Sequence, residues 1–394
     1  MNLLVAKGSR LGALVLVLAG SSCSVVGFSE VADAALFPEP DLEALPKTIW
    51  LEPVHQAFMA RTTSTERVDE LLASPVLRDP EFREAVDEWI KYWKGAARPW
   101  FPEFLHRMGT FQEMVDSVLA SRELPESLRY LPLIESGYNP RARSHASAVG
   151  MWQFMPGTAR EHGMTVEAFV DERRNPFKST EAAAEYLSSL HRRFDSWFLA
   201  LAAYNGGPNR AQRILRENAK IAQPSDSLFW SLRQHWPRET REFVPKLVGA
   251  IVVAQNLEEY GYELPKPGPP FRFTDVDVPE ATTLDVLARV AETEESEIRR
   301  LNPELFRGFT PPGQVYKLRV PEGKEEIFTL NYAAIPEGER MTVVEHAVGQ
   351  GETLSHISLE YGISVRDLQA ANPGVRPRYL SVGMRLTVPI LLNR

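Results

Sequence analysis

The sequence predicts a mainly α-helical chain that ends in two small α+β modules. Three observations carry this prediction. Residues 109–264 show Ala/Leu periodicity at helical spacing, broken by the turn-forming stretches GYNP, MPG, NP and NGGP. Past a Pro/Gly run at 265–270, one pattern occurs twice at a nearly fixed offset. The composition, 44% hydrophobic and 24% charged over 394 residues, is that of a globular protein with several folding units.

Composition also excludes several classes. The single cysteine rules out an intramolecular disulfide and a Cys-rich metal site. No two of the 8 histidines lie three or four apart, so no helical metal-binding pair is present, and neither metal nor cofactor is expected. With 44 basic against 52 acidic residues and no Lys/Arg run to track a phosphate backbone, nucleic acid is not an expected partner.

Residues 1–22 read as an export signal. Lys7 and Arg10 precede the apolar stretch LGALVLVLAG at 11–20, which is shorter than the roughly 20 residues a spanning helix needs. Cys23 follows Gly20, Ser21 and Ser22, an arrangement that resembles a bacterial lipoprotein box; lipidation of Cys23 and attachment to a membrane are therefore expected. Gly20 stands where such a box usually has Leu, and cleavage at Ala32-Asp33-Ala34 is the alternative. Residues 23–49 are small, acidic and proline-bearing, as in a tether. Residues 50–108 are expected to form a helical collar, with Trp89, Tyr92, Trp93, Trp100 and Phe101 on one apolar face. The helix-rich block 109–264 follows, and 265–270 reads as a stiff linker and domain boundary.

The two modules are expected at 271–322 and 343–390. Thr353-Leu354 and Asn372-Pro373 match Thr283-Leu284 and Asn302-Pro303 seventy residues earlier, and RLTVP at 385–389 echoes KLRVP at 317–321. Each copy reads strand, helix, helix, strand, with Thr353 capping the first helix of the second copy and Gly362 ending it.

One acidic residue in the helical block stands out. Leu124, Leu128, Leu131 and Glu135 are spaced four, three and four, which puts Glu135 on the apolar stripe of a helix that Pro132 should bend and Gly137 should end. A carboxyl group held on an apolar face has a raised pKa and stays protonated near neutrality, as a general acid requires. Spacing alone leaves a structural glutamate, bonded to backbone amides, equally open.

A resemblance bears on that choice. PLIESGYNPRARSHASAVGMWQFMPGTA at 132–159 resembles the core of the lysozyme-like soluble lytic transglycosylase domain. Asn175-Pro176 before EAAAEYLSSL, then AYNGGP at 203–208, then ETREFVP at 239–245, match the same family in order. The second C-terminal copy, with VGQGETLSHISLEYGISVRDLQAANP and VGMRLTVP, resembles the LysM module; the first departs from it, with Ala281 in place of the turn glycine and an acidic segment between its helices.

The resemblance implies a lysozyme-like helical catalytic domain, with Glu135 as its one catalytic acid. It further implies that Ser144, Gln153, Met155, Tyr204, Asn205 and Glu239 contact or line a sugar cleft; Trp152 and Phe154 alternate with Gln153 and Met155 and are expected to point into the core, and His145, which has no counterpart in the family, is expected on the surface. The implied substrate is the glycan strand of peptidoglycan, cut between N-acetylmuramic acid and N-acetylglucosamine to leave a 1,6-anhydro end. LysM implies binding of N-acetylglucosamine. A monomer on the periplasmic side of the outer membrane is the expected setting. A hydrolase of the goose-type lysozyme kind and a catalytically silent murein-binding scaffold are the alternatives.

Overall fold

The computed structural model describes residues 69–167, 169–219, 222–311, 314–336, 343–372 and 374–389. The expected export signal, Cys23, the expected tether and residues 50–68 of the expected collar lie outside the described residues. Among the described residues no helix is long and apolar enough to cross a membrane.

The helical part is organised around one core. Helix α1 (Pro80–Lys94) starts with Pro80 in its first turn, and the Asp79 carboxylate accepts from the Phe82 N–H, a cap of about 1 kcal/mol. Helix α2 (Phe101–Ser121) follows. Of the expected aromatic face, Trp89, Tyr92, Trp93 and Phe101 are buried, but Trp100 is 45% exposed. Trp100 caps α2, in the connection between the two helices, and so lies on neither apolar stripe. Helix α2 also runs straight across residue 108, and its buried side chains share a core with those of α1 and of the later helices. The aromatic segment is thus continuous with the block that follows it.

The remaining helices of this part are α3 (Leu131–Ser136), α4 (Pro156–Glu161), α5 (Pro176–Phe194), α6 (Trp197–Gly206), α7 (Pro208–Asn218), α8 (Asp226–Ser231) and α9 (Arg238–Gln255). Residues 197–203 of α6 are all buried, as expected for a helix apolar on every side, and α6 forms the centre of the domain. Helix α9 packs along α1 and against α6 and α3. Two indoles of α1 donate into α9, Trp89 to the Glu242 carboxylate at 3.1 Å and Trp93 to the Lys246 carbonyl at 3.2 Å.

The proline-rich run does not hang free. The Gly268 N–H donates to the His106 carbonyl at 2.9 Å and the Phe271 N–H to the Thr110 carbonyl at 3.0 Å. The His106 ring bonds the Lys266 carbonyl at 2.7 Å, and Phe271 enters the main core. Residues 266–271 therefore strap along α2, where a prolyl chain with few N–H groups leaves little to satisfy.

Both C-terminal modules have the expected strand-helix-helix-strand order. The first consists of β1 (Thr274–Val278), α10 (Leu284–Val290), α11 (Glu295–Leu301) and β2 (Tyr316–Val320), with β1 antiparallel to β2 in the register Thr274↔Val320 to Val278↔Tyr316. Helix α12 (Glu325–Ala334), not anticipated from the sequence, then buries Phe328 and Tyr332 against this module. The second consists of β3 (Val343–Ala347), α13 (Leu354–Glu360), α14 (Val365–Ala371) and β4 (Arg385–Pro389), with Val343↔Pro389 to Ala347↔Arg385 paired.

The repeated asparagines do the same work in both copies. Asn302 donates to the carbonyls of Ile298 and Arg319 and accepts the Arg319 N–H; Asn372 donates to the carbonyls of Leu368 and Thr387 and accepts the Thr387 N–H. Each amide joins the end of the second helix to the closing strand.

Candidate active site

The short helix α3 presents Glu135. A 3-10 turn, Glu126–Tyr130, precedes it, so the stripe from Leu124 to Glu135 is not one α-helix as expected. Pro132 occupies the first turn of α3, where a missing N–H costs nothing, and starts the helix instead of bending it. Every residue of α3 is buried except Glu135, which is partly open. Gly137 ends the helix at φ 58° and donates to the Leu133 carbonyl, while Tyr138 donates to that of Pro132. A Cβ at Gly137 would sit 2.4 Å from the Phe104 ring, so glycine is required there by both backbone and packing.

Burial pushes the Glu135 carboxyl up to about 7; the Lys246 ammonium pulls it down and the Glu239 carboxylate pushes it up further. Both neighbours belong to α9, and Lys246 Nζ donates to the carbonyl of Ile134, beside Glu135, at 3.0 Å. Tyr204, at the end of α6, donates its hydroxyl to the Trp152 carbonyl at 2.6 Å. Its pKa is held well above the usual phenol value, by burial first and then by the Glu135 charge. Asn205 links α6 to α9: its Oδ1 accepts from the Thr240 hydroxyl at 2.8 Å and its Nδ2 donates to Glu239 Oε1 at 3.3 Å.

A tight hairpin over 143–154 adjoins these groups, with bridges Arg143↔Val149 and Val149↔Phe154, and Ser136 and Tyr204 both donate to its carbonyls. Ser144 closes its turn: its N–H donates to the Ala148 carbonyl at 2.9 Å and its hydroxyl accepts the Ala148 N–H at 3.0 Å. Ser144 is half-buried and His145 is exposed. Trp152 and Phe154 are buried as expected, Gln153 is half-buried, and Met155 is 45% exposed. Gln153 adopts φ 50° and folds its side-chain amide onto the Gly150 carbonyl at 2.8 Å.

Two groups that the sequence reading did not single out fix this hairpin. Ser136, next to Glu135, donates its hydroxyl to the Met151 carbonyl at 2.8 Å. The Arg173 guanidinium, itself bonded twice to Asp171 at 2.8 Å, donates to the carbonyls of Ser147 at 2.8 Å and Phe154 at 3.1 Å. Gly150, at φ 89°, lies so close to Arg173 that an added Cβ would fall 1.8 Å from its carbonyl oxygen. Lys246 was also overlooked, although a lysine inside the apolar stretch FVPKLVGAIVV is itself a signal.

Glu135, Tyr204, Glu239 and Lys246 thus share one electrostatic environment, and Asn205 is bonded into it. Gln153 and Met155 sit on or beside a hairpin tied to the Glu135 helix, whereas Ser144 bonds within its own turn. In the second C-terminal module, His346, Glu352 and Glu360 bring ligand-type atoms within 4.8 Å of one another, and Arg307 of the first module already pairs with Glu360.

Comparison with known proteins accords with this arrangement. Residues 118–225 match the Transglycosylase SLT domain, 272–337 the LysM-like domain of lytic transglycosylase MltD, and 346–389 the LysM domain. The membrane-bound lytic murein transglycosylase D of Escherichia coli is 30% identical over 279 residues, covering 68% of this chain and 60% of that protein. The membrane-bound lytic murein transglycosylase F of Pseudoalteromonas translucida is 27% identical over 192 residues, covering 45% of this chain and 35% of that protein. The soluble lytic murein transglycosylase of Salmonella typhimurium is 34% identical over 93 residues, covering 22% and 14%. The chain spans 60% or less of each of these relatives. It thus carries a transglycosylase SLT domain followed by an MltD-type LysM-like domain and a LysM domain, and is a relative of the membrane-bound lytic murein transglycosylases D.

Proposed function

We propose that the protein is a lytic transglycosylase that cuts peptidoglycan glycan strands between N-acetylmuramic acid and N-acetylglucosamine without consuming water. The observation that carries this reading is Glu135: a carboxyl held near pKa 7 by burial, on the one partly open position of an otherwise buried helix. In the protonated state it donates to the glycosidic oxygen as the bond breaks. Ionised by that step, it takes the proton from the muramyl C6 hydroxyl, which closes on C1 to form the 1,6-anhydro ring. The substrate's own hydroxyl replaces the water and second carboxylate of a hydrolase, so its positioning supplies the effective concentration.

Glu239, the nearest second carboxylate to emerge, is exposed and bonded to Asn205, a geometry suited to holding the α6–α9 junction. Gln153, Met155, Tyr204 and Asn205 are assigned to the cleft wall, and Ser144 to the turn of its hairpin. The second C-terminal module is assigned binding of N-acetylglucosamine in polymeric murein. The chain is assigned to the periplasmic face of the outer membrane, held by a lipid on Cys23; the membrane-bound relatives support that setting at the level of the cell envelope.

The test is Glu135→Gln, which keeps the shape and removes the transferable proton. Cleavage should fall by roughly 10²–10⁴-fold or more, with sedimentation on insoluble murein unchanged. A variant that keeps a tenth of the wild-type rate would rule Glu135 out as the acid.

A further inference from the structure

The first C-terminal module departs from the LysM pattern, and its structure points to a different partner. Glu304, just after α11, is 2% exposed. Within the module its carboxylate is bonded by Arg319 and by the Tyr316 hydroxyl at 3.0 Å. From the helical part it is bonded by Asn175 Nδ2 at 3.1 Å, and its main-chain carbonyl accepts the Asp171 N–H at 3.2 Å. Apolar contacts cross the same boundary. Val170 belongs to the buried cluster that contains Leu284, Leu287 and Ile298 of the module, while Leu301 of the module lies in the core of the helical part. Arg141, from the segment after Glu135, donates to the Arg299 carbonyl at 2.8 Å.

The held segment is the one that clamps the cleft hairpin. Residues 170–175 contain Asp171 and Arg173, and Arg173 alone bonds both sides of the hairpin at Ser147 and Phe154. Asn175 also caps α5 by accepting the Lys178 N–H at 3.1 Å. A carboxylate that shares one oxygen among Arg319, Tyr316 and Asn175 fixes all three, and the buried pair with Arg319 favours one arrangement over looser ones more than it adds net stability. Contacts therefore run without a break from Glu304 to the 170–175 segment, to Arg173, to the hairpin, and through Ser136 to Glu135.

We infer that the first module is a brace for the cleft hairpin, and that Glu304 is a positioning residue for the reaction. The module's sheet and helices serve the neighbouring domain's geometry in place of a glycan face. The effect on turnover rests on the activity proposed above; the mechanical coupling does not.

The full chain is compared with Glu304→Gln, Val170→Ala and, as a control on the exposed outer strand, Lys317→Ala. Amide hydrogen exchange is followed at Val149, Gly150 and Phe154, whose N–H groups close the hairpin. Glu304→Gln should speed exchange there by about tenfold or more, and Val170→Ala by less, while Lys317→Ala leaves it unchanged. On short soluble glycans kcat should fall more than KM rises. Unchanged hairpin exchange in both variants, with faster exchange at Arg319 and Val320 inside the module, would overturn the brace. Should Glu304→Gln unfold the module, Val170→Ala decides, because it leaves every bond to Glu304 in place. A wild-type protein that cleaves nothing would sink the proposed activity and leave the exchange result standing.

Discussion

Glu135 is held in an environment that opposes its charge, and two residues of α9 set how strongly. Burial raises its pKa, Lys246 lowers it and Glu239 raises it, so the two neighbours act with opposite sign. The proton-donating form is lost as pH rises through about 7, and the cleavage rate should decline on that limb. Lys246→Met removes the lowering charge and should move the limb to higher pH; Glu239→Gln removes a raising charge and should move it lower. Shifts in the same direction for both variants would contradict this electrostatic assignment. Stability follows the same proton. Because the folded state raises the Glu135 pKa from 4.5 to about 7, its contribution is full below pH 4.5 and is lost as pH rises through 7. Glu135→Gln should therefore flatten the fall of thermal stability between those limits, read by melting at several pH values. At this scale the sequence exposed Glu135 by its place among leucines and by the motif around it. Lys246 is marked by its place inside FVPKLVGAIVV, but a lysine in an amphipathic helix ordinarily extends its head to water, and only the fold sets this one against Ile134.

The hairpin of residues 143–154, assigned above to the proposed cleft, has its geometry set by a backbone contact. Gly150 has φ 89° and faces the Arg173 carbonyl with no room for a methyl group. Gly150→Ala must shift that contact and adopt a backbone conformation L-residues disfavour, at a cost of about 1–3 kcal/mol or more. The variant should melt several degrees lower and cleave more slowly, while Gly157→Ala, where a Cβ meets nothing, should do neither. Equal behaviour of the two would show that the hairpin tolerates displacement. The elements were readable to unequal degrees. Both modules were legible because period, cap and turn agree, as at Thr353, whose hydroxyl accepts the His356 N–H. The stripe through Leu124 and Glu135 was misread, because leucines spaced four and three apart suit a 3-10 turn leading into a short helix as well as one long helix, and Pro132 decides between them.

Taken whole, the described chain is a docked assembly, with the Pro-rich run laid along α2 and each module seated on what precedes it. Composition reports the stiffness of residues 265–270 but not that His106, far upstream, bonds Lys266 and Gly268 and that Thr110 accepts from Phe271 just after them. The two modules also meet each other. Arg307 of the first reaches Glu360 and the Tyr361 hydroxyl of the second, and Phe309 of the first packs on Tyr361, with Phe169 of the helical part against both rings. Arg307→Ala leaves Glu360 without that guanidinium and should loosen the second module, which the Phe309, Tyr361 and Phe169 rings still hold, at a cost of about 1–3 kcal/mol. Hydrogen exchange in β3 and β4 should then rise while that in α6 stays slow; no change in β3 and β4 would mean that the second module stands alone.

In the proposed reaction the nucleophile is the substrate's own C6 hydroxyl and not water. Digestion of murein in heavy-oxygen water, followed by mass spectrometry of the released glycans, reads this directly. The prediction is muramyl ends one water lighter than reducing ends and carrying no heavy oxygen at C1, formed by the wild-type protein and not by Glu135→Gln. Reducing ends that carry the heavy isotope would show that water attacks, and that the site is a hydrolase.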